Sequence, residues 1–156
     1  MNSFKQMNHS LEIIAPKLSD KKRIYSFLKK VDNQYHTPLS KRVSLNSYAE
    51  KLALNAFNFF LTETDLDIAH AAIYYNELES SVFLSNIAIL EEYAGYRLGG
   101  FLLEEIELFS IEKKAKLLSL EADSDSDRLK KFYMDRGFEI ISSNRNMSFF
   151  TKQLTY

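Results

Sequence analysis

SNIAILEEYAGYRLGGFLLEEIE, residues 85–107, decides how the rest of the chain is read. Its start belongs to an apolar run over 81–90, rich in β-branched residues, which predicts a strand. Its end predicts a helix, with Leu102, Leu103, Ile106 and Phe109 on one side. Glu104, Glu105 and Glu107 come early in that helix and Lys113, Lys114 and Lys116 late, as a helix dipole favours. Between strand and helix lie Gly95, Gly99 and Gly100. The chain has 4 Gly in 156 residues, where ordinary usage would give about eleven. A chain so sparing with glycine places it where the backbone needs positive φ or a close approach. A strand that passes through such a loop into a helix offers unbonded N–H groups and a positive dipole end, which suits phosphates. Arg97 adds a cation. Two other phosphate loops are excluded, because no Gly-Lys-Ser/Thr follows and the glycine spacing is wrong for a dinucleotide fingerprint.

Upstream, LEIIA (11–15) predicts a strand ended by Pro16. Ser19-Asp20 supplies an N-cap for a helix whose stripe is Ile24, Phe27, Leu28 and Val31. Pro38 breaks the pattern over 35–42, and a second helix is expected over 45–56 with Tyr48, Leu52 and Ala56 on one face. Residues 57–64, 67–78 and 81–90 then predict three strands joined by short, hairpin-length connections. Downstream, 116–123 reads as a strand, 126–137 as a helix closing on Gly137, and FEII and SFFTKQL as two last strands. The order is β-α-α-β-β-β-α-β-α-β-β, an α/β chain with a mixed sheet.

Composition narrows the function. With 20 Lys plus Arg against 21 Asp plus Glu, the net charge is -1, which argues against a nucleic-acid or membrane-coating protein. There is no Cys, so disulfides, thiol nucleophiles and cysteine-ligated metals are excluded. His9, His36 and His70 are too dispersed for a metal cluster, and no metal is expected. No apolar run reaches the ~18 residues that span a bilayer, and MNSFKQMNHS has no signal-peptide core. The expectation is one cytoplasmic domain over 1–156, with 1–10 as an N-terminal extension.

On these residues the sequence resembles the GNAT superfamily of N-acetyltransferases, over roughly 11–154. The family's loop Gln/Arg-x-x-Gly-x-Gly/Ala falls on Ala94, Arg97 and Gly99. Ala94 stands where the family has Gln or Arg, and Arg97 where it has glycine. LEADSDSDRLKKFYMDRGFEI (120–140) is similar to the family's later motif, Asn-x-x-Ala-x-x-Phe-Tyr-x-x-x-Gly-Phe. Phe132, Tyr133, Gly137 and Phe138 match it outright. Ser126 takes the place of the Asn and Leu129 that of the Ala.

The resemblance implies the GNAT fold, acetyl-CoA as co-substrate and transfer to a primary amine, with a homodimer compatible. It places the CoA pyrophosphate on the N–H groups of Ala94, Gly95, Tyr96, Arg97, Leu98, Gly99 and Gly100. It sets the thioester carbonyl beside the backbone of Ile87, Ala88 and Ile89, and adds Ser126 and Tyr133 to the CoA contacts. Tyr133 becomes the acid that protonates the departing thiolate, which a phenol of pKa about 10 can do toward a thiol of about 8.5. The base is left open among a water chain, His36, His70 and Glu77, since β-strand residues 82–89 carry no acid. Tyr25, Tyr35, Tyr48, Phe57, Phe59, Tyr74 and Tyr75 are expected mostly in the core. Two other readings stay open: a non-catalytic CoA-binding module, and acetylation of a protein or peptide amine instead of a small molecule.

Overall fold

The structure, a computed structural model, describes residues 9–35 and 37–154. The strands are β1 (His9–Ile14), β2 (Phe57–Glu63), β3 (Leu66–Asn76), β4 (Ser81–Ile89), β5 (Leu117–Asp123), β6 (Glu139–Ser143) and β7 (Met147–Gln153). The helices are α1 (Lys21–Val31), α2 (Leu45–Asn55), α3 (Leu98–Glu112) and α4 (Asp127–Met134). This is the expected order of elements. The strands form one mixed sheet ordered β1-β2-β3-β4-β5-β7-β6. His9 and Ser10 belong to β1, while residues 1–8 of the expected N-terminal extension lie outside the described residues. The chain divides into two compact units, one up to Ile73 together with Asn86–Leu103, the other Tyr74–Ser85 with Glu104 onward.

In the first unit, β1 pairs antiparallel with β2, and β2 with β3. Asp20 caps α1 by accepting from the Lys22 N–H at 2.9 Å. Ile24, Phe27, Leu28 and Val31 are all buried, the predicted stripe. Each such side chain contributes roughly 1.5–3 kcal/mol by leaving water. On α2 the buried face is Ala49, Leu52 and Ala53, so the face rotates from the expected one and leaves Tyr48 half-buried. Ala56 is buried as expected, but beyond the helix end, as its C-cap.

In the second unit, β4 and β5 run parallel over Ser81–Leu84 against Leu117–Leu120. Strand β7 then pairs antiparallel with β5 on one side and β6 on the other. Ser126 caps α4, accepting from the Leu129 N–H at 3.2 Å. The helix ends through Gly137, whose φ of 93° suits the chain reversal after a helix. There the Phe138 N–H reaches back to the Tyr133 carbonyl at 3.1 Å.

Candidate active site

The loop after β4 is built by short hydrogen bonds from three directions. The Leu90 N–H donates to Ile68 O at 2.9 Å, and Tyr93 donates its hydroxyl proton to Glu63 at 2.8 Å. Gln34 clamps the same corner, donating to Ile89 O at 2.6 Å and accepting from the Glu91 N–H at 3.1 Å. A 3-10 turn over Glu91–Tyr93 follows, in which the Ala94 N–H bonds to Glu91 O and the Tyr96 N–H to Tyr93 O. Gly95 takes φ 90° with open space where a side chain would stand.

Arg97 is the informative departure. Its φ is 62°, the left-handed region that costs a side-chain-bearing residue roughly 1–2 kcal/mol. The loop that the sequence resembles has glycine at this position, and the φ here is one that glycine adopts freely. Its exposed guanidinium has no ion-pair partner among the described residues.

Helix α3 begins at Leu98, ahead of the apolar stripe that starts at Leu102, and takes Gly99 and Gly100 into its first turn. Glu104, Glu105 and Glu107 therefore fall in later turns, and Lys113 onward lies past the helix end. The first turn holds no acidic side chain. Its first intrahelical bond is Phe101 N–H to Arg97 O at 3.2 Å, which leaves the N–H groups of Leu98, Gly99 and Gly100 at the positive end of the dipole. These donors, an acid-free first turn and a nearby unpaired cation fit a diphosphate.

Ile87, Ala88 and Ile89 form the half-buried last stretch of β4, directly before this loop. Ser126 and Tyr133 lie in the second unit. The Ser126 hydroxyl is committed to capping α4. Tyr133 is 4% exposed, ringed by Phe132, Phe138 and Phe150 at centroid distances of 5.0, 5.6 and 5.5 Å. Its hydroxyl has no hydrogen-bond partner among the described residues. Burial pushes the phenol up to about 12, against the pull of Arg128 and Arg136, so it stays protonated at neutral pH.

Two candidate bases change standing. His70 is fully buried beneath Phe60, with ring centroids 4.8 Å apart. Burial lowers its pKa to about 3, and both nitrogens are taken, Nε2 by Asn58 at 2.9 Å and Nδ1 by Asn86 at 3.1 Å. It is a structural hub, and it has no lone pair left for a substrate proton. Glu77 is exposed in the turn before β4, the opposite end of that strand from Ile87–Ile89. His36 lies outside the described residues. Among the aromatic residues, Phe59 is fully buried while Tyr25, Tyr35, Tyr48, Phe57, Tyr74 and Tyr75 are half-buried.

Sequence reasoning gave no role to Gln34 or Asn58. Their partners lie 55 and 57 residues away for Gln34, and 12 away for the Asn58 bond to His70, so no local pattern marks them.

The seven-stranded mixed sheet, with a loop of this construction after β4, defines the fold class of the N-acetyltransferases. The chain has the GNAT fold. The ribosomal-protein-S18-alanine N-acetyltransferase of Escherichia coli superposes with a TM-score of 0.74 at 18% identity, covering 94% of this chain and 96% of that one. PaiA N-acetyltransferase of Thermoplasma acidophilum in complex with coenzyme A gives 0.72 at 16%, covering 92% and 99%. A GNAT family acetyltransferase of Elizabethkingia anophelis with acetyl-CoA bound gives 0.68 at 15%, covering 94% and 99%. No protein-family model matches the chain, nor does the sequence of any curated protein. Among the described residues no helix is long and apolar enough to cross a membrane, and no group of three or more His, Asp or Glu is arranged to hold a metal ion.

Proposed function

We propose that this chain is an N-acetyltransferase that moves the acetyl group of acetyl-CoA directly to the primary amine of a small molecule. The observation that carries this reading is the acid-free first turn of α3, entered through a left-handed Arg97 at the end of the loop that follows β4. The fold supports it, as do the coenzyme A and acetyl-CoA held by two proteins of the same fold.

Acetyl-CoA supplies an acetyl group already activated as a thioester. The N–H groups of Leu98, Gly99 and Gly100, with the open backbone at Gly95 and the cation of Arg97, are assigned to the pyrophosphate. The backbone at Ile87–Ile89 is assigned to the thioester carbonyl, where an N–H aimed at developing oxygen charge lowers the barrier. The amine nitrogen forms the new C–N bond as the C–S bond breaks. Its surplus proton leaves to water, because His70 is occupied and β4 carries no acid. Tyr133 gives its proton to the departing sulfur. With no Cys in the chain to carry the acyl group, transfer in a single ternary complex is the simpler route.

The direct test is acetyl-CoA consumption over a panel of amino sugars, polyamines, amino acids, aminoglycosides and peptides. Turnover of a small amine supports the reading. Turnover confined to peptides moves the acceptor class to protein amines. Tight CoA binding with no turnover anywhere makes the chain a CoA-binding module.

A further inference from the structure

A chain of four buried or half-buried side chains runs through the first unit, and a single backbone group fixes its direction. The Leu52 carbonyl can only accept, so the Asn58 atom 3.0 Å away is its Nδ2, which also reaches Ser19 Oγ at 3.1 Å. Asn58 therefore turns Oδ1 toward His70 at 2.9 Å, and the imidazole must carry its proton on Nε2. Its bare Nδ1 then accepts from Asn86 Nδ2 at 3.1 Å. Asn86 is left with its buried Oδ1 as acceptor, and Tyr35 donates its hydroxyl proton to that oxygen at 2.6 Å. Every member donates toward Leu52. Reversing one bond orphans a buried group, which is costly in a dry interior.

The far end of the chain lies beside the last stretch of β4. Tyr35 follows Gln34, whose side chain clamps Ile89 O and the Glu91 N–H at the end of β4. Asn86 shares its face of β4 with Ala88, by the two-residue period of a strand. The loop is held from its other side too, since Asp32 accepts from the Ser40 N–H at 2.8 Å and its hydroxyl at 2.6 Å. With its proton committed to Asn86, the Tyr35 oxygen keeps only lone pairs. No other described residue bonds that hydroxyl.

We propose that Tyr35 binds the acceptor substrate by taking an amine N–H on its hydroxyl oxygen, with Asn58, His70 and Asn86 as the positioning residues that confine this oxygen to the accepting role. The inference rests on the transfer reading above and names what the site selects: an N–H donor is taken, and a carboxylate or carbonyl presented there meets lone pair against lone pair. A Tyr35 that turned its proton toward substrate would leave Asn86 Oδ1 buried and unpaired.

The test is steady-state kinetics of Tyr35→Phe on the amine that the wild type turns over best, together with the ¹⁵N spectrum of His70 in the wild type. The variant's KM for the amine should rise about three- to tenfold, one hydrogen bond's worth. The KM for acetyl-CoA should stay unchanged, a split that general loosening of the fold would not give. The imidazole should be the Nε2–H tautomer from pH 8 down to pH 6. An unchanged amine KM overturns the role of Tyr35. An Nδ1–H or doubly protonated ring at pH 6 overturns the direction of the chain, whatever the kinetics. If the wild type binds CoA but acetylates no amine, the transfer reading fails and the role of Tyr35 falls with it, while the tautomer still reports on the chain.

Discussion

His70 and Tyr133 are both buried, titratable aromatic residues, one in each compact unit, and their surroundings are opposite. His70 sits at the centre of a polar chain in which both nitrogens are bonded. Tyr133 sits among three Phe rings, with its hydroxyl unbonded by any described residue. Burial moves both groups toward their neutral forms, the His down to about 3 and the Tyr up to about 12. Satisfied partners make the first a fixture. The second keeps its proton at neutral pH and commits it to no described residue, so a hydroxyl is present to donate, though as a weaker acid than a free phenol.

The comparison is broken most forcefully at His70. Replacing it by Leu keeps the volume but leaves Asn58 Oδ1 and Asn86 Nδ2 without partners, each costing about 1–3 kcal/mol. Denaturant unfolding should show a loss of about 2–6 kcal/mol. A loss under 1 kcal/mol would mean that the chain contributes little. The same variant carries a pH signature. Unfolded His70 titrates near 6.5 and the folded residue near 3, so below pH 6.5 the unfolded chain takes up a proton that the folded one refuses. The stability that the neutral ring contributes is complete above pH 6.5 and drains as pH falls toward 3, at up to about 1.4 kcal/mol per pH unit. His70→Leu should lose that part of the acid slope.

Tyr133→Phe sharpens the other half. Only an unpartnered hydroxyl is removed, so the melting temperature should barely move while kcat falls by roughly 10²-fold, the scale of general acid catalysis. The loss should ease for acyl donors with better leaving groups. Unchanged kcat on a verified acceptor returns Tyr133 to the core and leaves the proton to solvent.

The smallest effect is expected at Arg97→Gly. Relief of the left-handed strain, about 1–2 kcal/mol, is offset by the greater unfolded-state freedom of glycine, about 0.5–1 kcal/mol. Stability should hold or rise by up to about 1.5 kcal/mol, while CoA affinity weakens through loss of the cation. A clear destabilisation would mean that the arginine side chain packs more than its exposure suggests.

These contrasts show what the sequence could and could not reveal. The apolar stripe of α1 and the β-rich runs of β2, β3 and β4 were legible, because periodicity is local and burial follows it. The start of α3 was not, because two glycines read as loop while their neighbours Leu98 and Leu102, both buried, drew them into the helix. The glycine loop stood out because three of the chain's 4 Gly fall at 95, 99 and 100, and the structure places the last two in the first turn of α3. The fate of His70 was invisible, since its partners come from β2 and β4, 12 and 16 residues away, and a histidine on a strand reads equally as base or as core. Gln34 and Tyr35 were hidden by still longer separations.

The central claim is that the loop and the first turn of α3 hold the pyrophosphate of acetyl-CoA, and calorimetric titration of CoA into the wild type and Gly99→Val tests it most directly. A β-branched side chain in that first turn should stand where the phosphate must approach the backbone, and should leave the core in place. The account predicts saturable binding by the wild type, with a melting temperature that rises with ligand by linkage, and no binding by a folded Gly99→Val. No heat and no thermal shift at millimolar CoA for the wild type, or equal affinity in the variant, would contradict it.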